Sequence, residues 1–268
     1  MGTQEKTNGE SVELWPTQYL ELPPASASPT NEVALIILNS PMSDFEYFQR
    51  LYHHASLRIC ADGGANRLYD LVCSHYPKGP STDALRSVAP DLIHGDLDSL
   101  AQNVRKVYEG IGVEVSQDPD QYSTDFGKAI KIIVKRLPKV REILVLGSIG
   151  GRVDQGLGLL HELYREQVHR HPEVRFWLFT ESSVSTLLRP GTSLLHTPLS
   201  EGLIKRNVGI LPVYGPAIIS TQGLEWDVQD WPTEMGSQVS TSNHIFEDCI
   251  SIKTDRDILF TVERVIGH

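Results

Sequence analysis

The sequence predicts an α/β fold in two parts: an N-terminal Rossmann-like domain with a mostly parallel sheet, followed by a C-terminal antiparallel β-sandwich. Between residues 33 and 172, short apolar runs alternate with stretches of helical periodicity, which is typical of a parallel sheet covered by helices. Beyond Val174 the β-type runs are separated by Gly, Pro, Asp and Asn, and no helical pattern of ten residues occurs. This second pattern indicates an antiparallel sandwich or barrel.

We predict a boundary between two domains near residue 175. Residues 1–30 are polar and end in a segment rich in Pro and Ser, which is typical of a flexible arm. Residues 31–175 form the predicted α/β domain, and residues 176–268 form the predicted β-sandwich domain. The run RFWLFT, which starts at residue 175, is compatible with either side of this boundary.

The elements of the first domain follow from its periodicity. The predicted strands are Val33–Leu38, Leu57–Ala61, Leu92–His94, Val113–Val115 and Ile143–Leu146. The predicted helices are Asp44–His53, Ala65–His75, Gln102–Gly110, Asp125–Leu137 and Gln155–Val168. Thr124 is the predicted N-cap of the fourth helix, because its hydroxyl can accept a hydrogen bond from the first turn. The segment from Ser74 to Ala89 is predicted to be a looser insertion.

Composition excludes several classes of function. The chain has 268 residues, a formal net charge of −10, 40% hydrophobic and 22% charged residues, which is ordinary for a globular protein. No basic cluster is present, so we predict no nucleic-acid partner. No apolar run is long enough to span a membrane, and the polar N-terminus carries no targeting signal. Three cysteines without CxxC spacing favour a reducing compartment. We therefore predict a cytoplasmic location and no membrane partner.

The motif GDLDS, at residues 95–99, is the most informative stretch of the chain. A short apolar strand ends at Gly95 and is followed by Asp96 and Asp98, whose side chains lie on the same side if the segment stays extended. Two carboxylates held close together repel each other unless a cation lies between them. Mg²⁺ is the usual cation for such a pair, and it commonly brings substrate phosphates with it.

Three other predicted strands also end in polar loops, which are ADGGANRLYD from residue 61, SQDPDQYSTDFGK from residue 116 and LGSIGGRVDQ from residue 146. Because ligands gather beyond the carboxyl ends of parallel strands, we expect these loops to converge on one site. They supply the acids Asp62, Asp125 and Asp154, the cation Arg152, and helix N-termini that bind anions. Acids that face anion-binding loops indicate metal-bridged phosphoryl chemistry.

The motifs ADGGANRLYD, GDLDS, STDF and LGSIGGRVDQ together resemble, in order and spacing, the signature blocks of the thiamine pyrophosphokinase family. GLEWDV, from residue 223, and STSNHI, from residue 240, resemble later blocks of that family. The resemblance extends from about residue 33 to the C-terminus, and QYSTDF looks more like fungal than animal members. Two positions depart from the pattern: Tyr122 replaces an acid of animal sequences, and Ser148 replaces a common glycine.

The resemblance implies transfer of the pyrophosphoryl group of ATP to thiamine, with Mg²⁺ as cofactor and ATP as co-substrate, to give thiamine diphosphate and AMP. It also implies that the α/β domain binds ATP and Mg²⁺, that the β-sandwich binds thiamine, and that a homodimer has its active sites at the interface. The implied catalytic residues are Asp96, Asp98, Asp125, Arg152 and Asp154, of which the first three would hold the metal. The implied ligand-binding residues are Asp62, Asn66, Gln121, Thr124, Gly150, Gly151, Trp226, Ser240, Ser242 and Asn243.

Physical chemistry is consistent with these implied roles. Thiamine carries a permanent positive charge, which suits the face of Trp226 and an excess of carboxylates. Transfer needs in-line approach of the thiamine hydroxyl to the β-phosphorus, with charge neutralised on the departing AMP. Asp125 or Asp154 could orient or deprotonate that hydroxyl, and the sequence does not choose between them.

Two other functions stay open at this point. A phosphohydrolase with an aspartyl nucleophile would also carry DLD after a strand, but it would need Thr or Val where Leu100 stands. A non-catalytic sensor of nucleotide or thiamine would not need acids at all four loops. The products formed from ATP distinguish these functions.

Overall fold

A computed structural model describes residues 11–24, 30–149 and 152–267 of the chain, which divides into two compact units. The α/β unit comprises residues 19–184 and 266–268, and the β unit comprises residues 1–18 and 185–265. Within the described ranges, no helix is both long and apolar enough to cross a membrane.

The strands are, in chain order, β1 (Val12–Leu14), β2 (Val33–Ile37), β3 (Leu57–Ala61), β4 (Leu92–Gly95), β5 (Glu114–Gln117), β6 (Glu142–Leu146), β7 (Arg175–Phe179), β8 (Ser183–Leu188), β9 (Gly191–His196), β10 (Ile204–Leu211), β11 (Ala217–Gln222), β12 (Trp231–Thr233), β13 (Ser240–His244), β14 (Cys249–Thr254) and β15 (Ile258–Arg264). The helices are α1 (Phe45–His54), α2 (Gly64–His75), α3 (Thr82–Ser87), α4 (Gln102–Gly110), α5 (Asp125–Arg136) and α6 (Val153–Tyr164). A π-helical segment, Arg165–Arg170, continues α6, and a 3₁₀ turn covers Leu199–Glu201.

The strands of the α/β unit form a parallel array in the order β7–β6–β2–β3–β4–β5. The chain moves outward from β2 to β5 and then returns to the other side of β2 with β6 and β7. The switch in strand order therefore lies between β2 and β6. Parallel sheets of this kind bind ligands beyond the carboxyl ends of the strands, at such a switch.

Helix α5 shows why the sequence folds as it does around the site. Its buried face contains Phe126, Ile130 and Ile133, at the spacing of successive helical turns. The predicted N-cap is confirmed, because the Gly127 N–H donates to the Thr124 hydroxyl at 3.1 Å. The helix ends at Arg136, because the residue before Pro138 disfavours helical geometry. Its first residue, Asp125, is thereby placed at the carboxyl edge of the sheet.

The predicted α/β architecture is confirmed, with differences at particular elements. The helix predicted over Gln155–Val168 begins at Val153 and becomes π-helical from Arg165. The segment predicted as a loose insertion contains α3, whose first turn is capped by the Ser81 hydroxyl. The run RFWLFT supplies β7, which pairs in parallel with β6 and so belongs to the α/β unit.

The β unit contains two groups of paired strands. One has the order β1–β9–β14–β11–β12, in which β1 is parallel to β9 and the other neighbours are antiparallel. The other contains β13, β10 and β15 as antiparallel neighbours, with β8 beyond β15. Buried side chains alternate along these strands, for example Ile250 and Ile252 in β14 and Phe260 and Val262 in β15. Such alternation is expected for sheets that each bury one face.

Several described residues of the segment predicted to be a flexible arm are paired or buried. Strand β1 pairs in register with β9, and Leu14 is buried. Farther along, Tyr19 and Leu20 are buried, and the Tyr19 hydroxyl donates to the Glu142 carboxylate. The physical reason is that a few apolar side chains in this polar segment find buried positions. Residues 1–10 and 25–29 lie outside the described residues.

Candidate active site

Three carboxylates meet at the carboxyl edge of the parallel sheet. Asp62 directly follows β3, Asp96 directly follows β4, and Asp125 begins α5. Each offers one oxygen, and these three oxygens lie within 4.8 Å of one another. The convergence predicted from the loops is therefore present for these three acids, which we call the carboxylate cluster.

Lys128 neutralises part of the charge of the carboxylate cluster. Its Nζ donates to Asp96 Oδ2 at 3.0 Å and lies 3.4 Å from Asp125 Oδ1, and its side chain is only 1% exposed. Burial alone lowers the pKa of Lys128, but the hydrogen bond to Asp96 and the charge of Asp125 raise it above its usual range. The sequence analysis missed this residue. The signal was its position three residues after Asp125 on the same helix, which places the two side chains together.

The acids of the cluster differ in their protonation equilibria. Burial raises the pKa of Asp62, and burial together with the neighbouring charge of Asp96 raises the pKa of Asp125. Burial also acts on Asp96, but the hydrogen bond from Lys128 holds the pKa of that carboxyl below its usual range. The positive charge of one lysine therefore does not fully offset the negative charge of the three acids.

The cluster fits a divalent cation. Asp62 Oδ2 accepts a hydrogen bond from the Ser99 N–H at 3.1 Å, whereas Asp62 Oδ1 is buried without a hydrogen-bond partner among the described residues. A buried carboxylate oxygen without a donor is unfavourable unless a cation binds it. Carboxylate oxygens are also the ligands that Mg²⁺ prefers.

Asp98 is not one of the three acids whose oxygens lie within 4.8 Å of one another, and Asp62 completes that group instead. The expectation that Asp96 and Asp98 share one side of an extended segment is wrong, because β4 ends at Gly95 and Leu97 adopts a left-handed φ of +66°. The exposed Asp98 carboxylate accepts from the Ser99 hydroxyl at 2.9 Å, and the Asp98 N–H donates to Asp96 Oδ1 at 3.3 Å. Its metal-binding role stays a prediction.

Asn66 holds the GDLDS loop in place. Its side-chain amide donates to the Ser99 carbonyl at 2.7 Å and accepts from the Ala101 N–H at 3.0 Å. With the bond from Ser99 N–H to Asp62, these contacts fasten the loop to the start of α2. The structure thus gives Asn66 a local anchoring role, whereas its predicted role in ligand binding is untested by these contacts.

A cavity of about 460 Å³ adjoins the cluster. Of the residues predicted for the site, it is lined by Asp62, Asp96, Thr124, Asp125 and Asp154. Polar lining residues that the sequence analysis missed are Asn39, Ser40, Ser99, Ser123, Gln155 and Glu162. Asn39 and Ser40 lie just beyond the carboxyl end of β2, after Leu38, so the argument used for the other strand ends would have found them.

Two further predicted residues of the α/β unit, Gln121 and Arg152, are exposed and are not among the residues that line this cavity. The Arg152 guanidinium forms two contacts with Asp154, the shorter at 2.6 Å, and these hold the pKa of that carboxyl below its usual range. Gln121 is exposed, with its amide 3.5 Å from the Pro119 carbonyl, and Tyr122 is fully exposed. Gly150 and Gly151 lie outside the described residues.

The β unit brings together the predicted residues Trp226, Ser240 and Asn243 around a separate pocket of about 250 Å³. Asn243 Oδ1 accepts a hydrogen bond from the backbone N–H of Trp226 at 3.2 Å, and Asn243 Nδ2 donates to the backbone carbonyl of Trp226 at 2.9 Å. Trp226 is 55% exposed, and its ring lies 5.0 Å, centroid to centroid, from the His244 ring. The buried amide of Asn243 therefore fixes the backbone that presents an exposed aromatic face. Ser242 is exposed, at a left-handed φ of +56°.

Two family models match the chain. The thiamin pyrophosphokinase catalytic domain matches residues 48–176, and the thiamin pyrophosphokinase vitamin B1 binding domain matches residues 192–259. The first match contains the carboxylate cluster and Lys128, and the second contains the pocket beside Trp226.

Known proteins agree with these matches. Thiamine pyrophosphokinase 1 of Arabidopsis thaliana is 33% identical over 247 residues, which cover 90% of each chain. Thiamine pyrophosphokinase of Saccharomyces cerevisiae is 29% identical over 276 residues, covering 85% of this chain and 84% of the relative. The yeast thiamin pyrophosphokinase crystal structure has a TM-score of 0.82 at 26% identity, covering 99% of this chain and 95% of that one. Thiamin pyrophosphokinase from Candida albicans has a TM-score of 0.79 at 27% identity, and the match covers 95% of this chain and 93% of that one. On these grounds the chain belongs to the thiamin pyrophosphokinase family, a family of enzymes.

Proposed function

We propose that this chain transfers the pyrophosphoryl group of ATP to the hydroxyl group of thiamine, giving thiamine diphosphate and AMP. The observation that carries the proposal is the carboxylate cluster beside the cavity of about 460 Å³ in a member of this family. A non-catalytic binding protein would gain nothing from three acids placed where they repel each other. Transfer of a pyrophosphoryl group from ATP to a hydroxyl group, in contrast, needs a bound cation at such a place to neutralise the charge of the phosphate oxygens.

The carboxylates of Asp62, Asp96 and Asp125 would hold Mg²⁺, with Asp98 as a predicted further ligand at the same loop. When bound, Mg²⁺ supplies the positive charge that stabilises the phosphate oxygens during in-line transfer. The unpartnered oxygen of Asp62 supports its place among the ligands.

The residues of this chain would bind and orient the two substrates. The N-terminus of α6 has no side-chain cap, so its N–H groups suit phosphate oxygens, and Arg152 stands at this end. Asp125 is engaged with Lys128 and the proposed metal, whereas Asp154 is paired with the exposed Arg152 at the start of α6, so we assign the orientation of the thiamine hydroxyl to Asp154. The lowered pKa of Asp154 favours accepting a hydrogen bond over removing a proton.

The pocket of the β unit would bind the thiamine rings. The exposed face of Trp226 offers a cation–π contact to the positively charged thiazolium ring. The predicted Ser240 and Asn243 are present in the same pocket. On family resemblance we also propose a homodimer with active sites at the interface, and on the cysteine pattern we propose a cytoplasmic location. Light scattering of the purified protein tests the dimer.

The decisive experiment incubates the purified chain with ATP, MgCl₂ and thiamine and separates the products by chromatography. We expect one AMP for each thiamine diphosphate, and no AMP when thiamine is omitted. Free phosphate as the main product would indicate the phosphohydrolase instead. A folded protein that binds thiamine but forms no AMP would be the sensor.

A further inference from the structure

Lys128 is the basic residue that the described structure pairs with the carboxylate cluster. Its ammonium group contacts Asp96, on the loop after β4, and Asp125, on its own helix, and its side chain is almost entirely buried. A buried ammonium loses its hydration, and close carboxylates are what keep it charged there. The two acids and the lysine therefore depend on one another when no metal is bound.

The cluster keeps an excess of negative charge beside this lysine. Three carboxylates and one ammonium leave a formal charge of about −2, which one divalent cation would balance. That cation would share Asp96 and Asp125 with the ammonium, because Lys128 contacts one oxygen of each. Two like charges that share the same carboxylates weaken each other's binding.

We propose, on the basis of the function proposed above, that Lys128 is a positioning residue that serves as the counter-ion of the metal site. It holds Asp96 and Asp125 together before the metal arrives, and it keeps the affinity for free Mg²⁺ low. Mg²⁺ is then retained mainly together with the ATP phosphates, whose negative charge offsets the ammonium. Binding of the metal is thereby coupled to binding of the nucleotide.

The test measures Mg²⁺ affinity without nucleotide, by calorimetric titration of MgCl₂ into the wild-type protein and into variants. Lys128→Met removes the charge, and Lys128→Gln removes the charge but keeps a hydrogen-bond donor. Lys131→Met is the matched control, since Lys131 is exposed on the same helix. We expect about tenfold tighter Mg²⁺ binding in both Lys128 variants and an unchanged affinity in the control. Unchanged or weaker binding in either folded Lys128 variant overturns the proposal.

Thermal unfolding separates this role from a purely structural one. We expect Lys128→Met to lower the melting temperature in EDTA and to recover most of the loss in MgCl₂, because the metal replaces the missing charge. Equal losses in EDTA and in MgCl₂ would overturn the proposal.

If neither Lys128 variant folds, the wild-type titration still decides, because the proposal requires weak binding of free Mg²⁺. A wild-type dissociation constant for MgCl₂ below roughly 10 µM, about 7 kcal/mol of binding, contradicts it. None of these measurements uses turnover. A failure of the proposed function, seen as absent AMP formation, is thus distinguishable from a failure of this inference.

Discussion

Replacing Gly95 with Ala tests whether the spacing of the carboxylate cluster matters independently of its charge. A Cβ atom at this position would lie 2.8 Å from Asp62 Cβ and 2.9 Å from Asp125 Oδ1, whereas ordinary contacts begin at 3.4 Å. Asp62 Cβ is fixed to the backbone and cannot rotate away. The distance must therefore grow from 2.8 Å to at least 3.4 Å, an opening of about 0.6 Å.

The variant keeps every ligand atom and every charge of the site. Overpacking of this kind typically costs about 1–3 kcal/mol of stability. A displacement approaching 1 Å can lower a rate by about a hundredfold, so we expect turnover to fall by roughly tenfold to a hundredfold. AMP formation at several MgCl₂ concentrations measures the rate, and urea unfolding measures the stability.

Gly110→Ala is the matched control for this substitution. A Cβ atom at Gly110, in α4, would meet nothing within 4 Å. We expect unchanged turnover and a stability gain of up to about 1 kcal/mol, as is usual when Ala replaces Gly in a helix. A folded Gly95→Ala variant with wild-type turnover and wild-type Mg²⁺ dependence would refute the reasoning.

Three further predictions concern a charge of the cluster, the pocket of the β unit and a buried histidine. Asp125→Asn is expected to lower AMP formation by at least about a hundredfold, because the cluster loses a charge that holds the metal; near-normal rates would exclude Asp125 as a ligand. Trp226→Ala should raise the Michaelis constant for thiamine, and a rise for ATP alone would contradict the assignment. Burial holds the pKa of His94 below its usual 6.5, and its Nδ1 lies 3.1 Å from the Ser116 carbonyl. The stability due to the neutral ring is therefore present above pH 6.5 and lost as the pH falls through the lower folded pKa. As the pH is lowered, the His94→Gln variant should lose less stability than the wild type, as measured by urea unfolding. An equal loss in both proteins would show that other groups cause the pH dependence.

The carboxyl edge of the sheet could be predicted because each strand end carries its own local signal. Asp62 and Asp96 stand directly after apolar runs, and Asp125 stands after a capping Thr, so strand order alone brings them together. Lys128 was harder to predict, since a lysine on a helix is usually exposed and the burial of this one depends partly on Asp96, from a distant loop.

Two other features lacked a signal in the sequence. The left-handed conformation of Leu97 breaks the extended path between Asp96 and Asp98, and because such a φ is uncommon for Leu, the residue type does not predict it. Strand β1 is three residues long, and its partner β9 lies far along the chain, so no periodic pattern marks it.

The path of the chain limits how the protein can be divided. The chain passes from one unit to the other after residues 18, 184 and 265. No single cut of the chain therefore gives two intact units. A fragment confined to residues 185–265 would lack β1 and leave the backbone groups of β9 without their parallel partner. An unpaired strand edge of that kind forms hydrogen bonds with the strands of other chains, which leads to aggregation. The segment matched by the vitamin B1 binding family is therefore expected to aggregate when expressed alone, and to gain solubility when the residues around Val12–Leu14 are supplied with it.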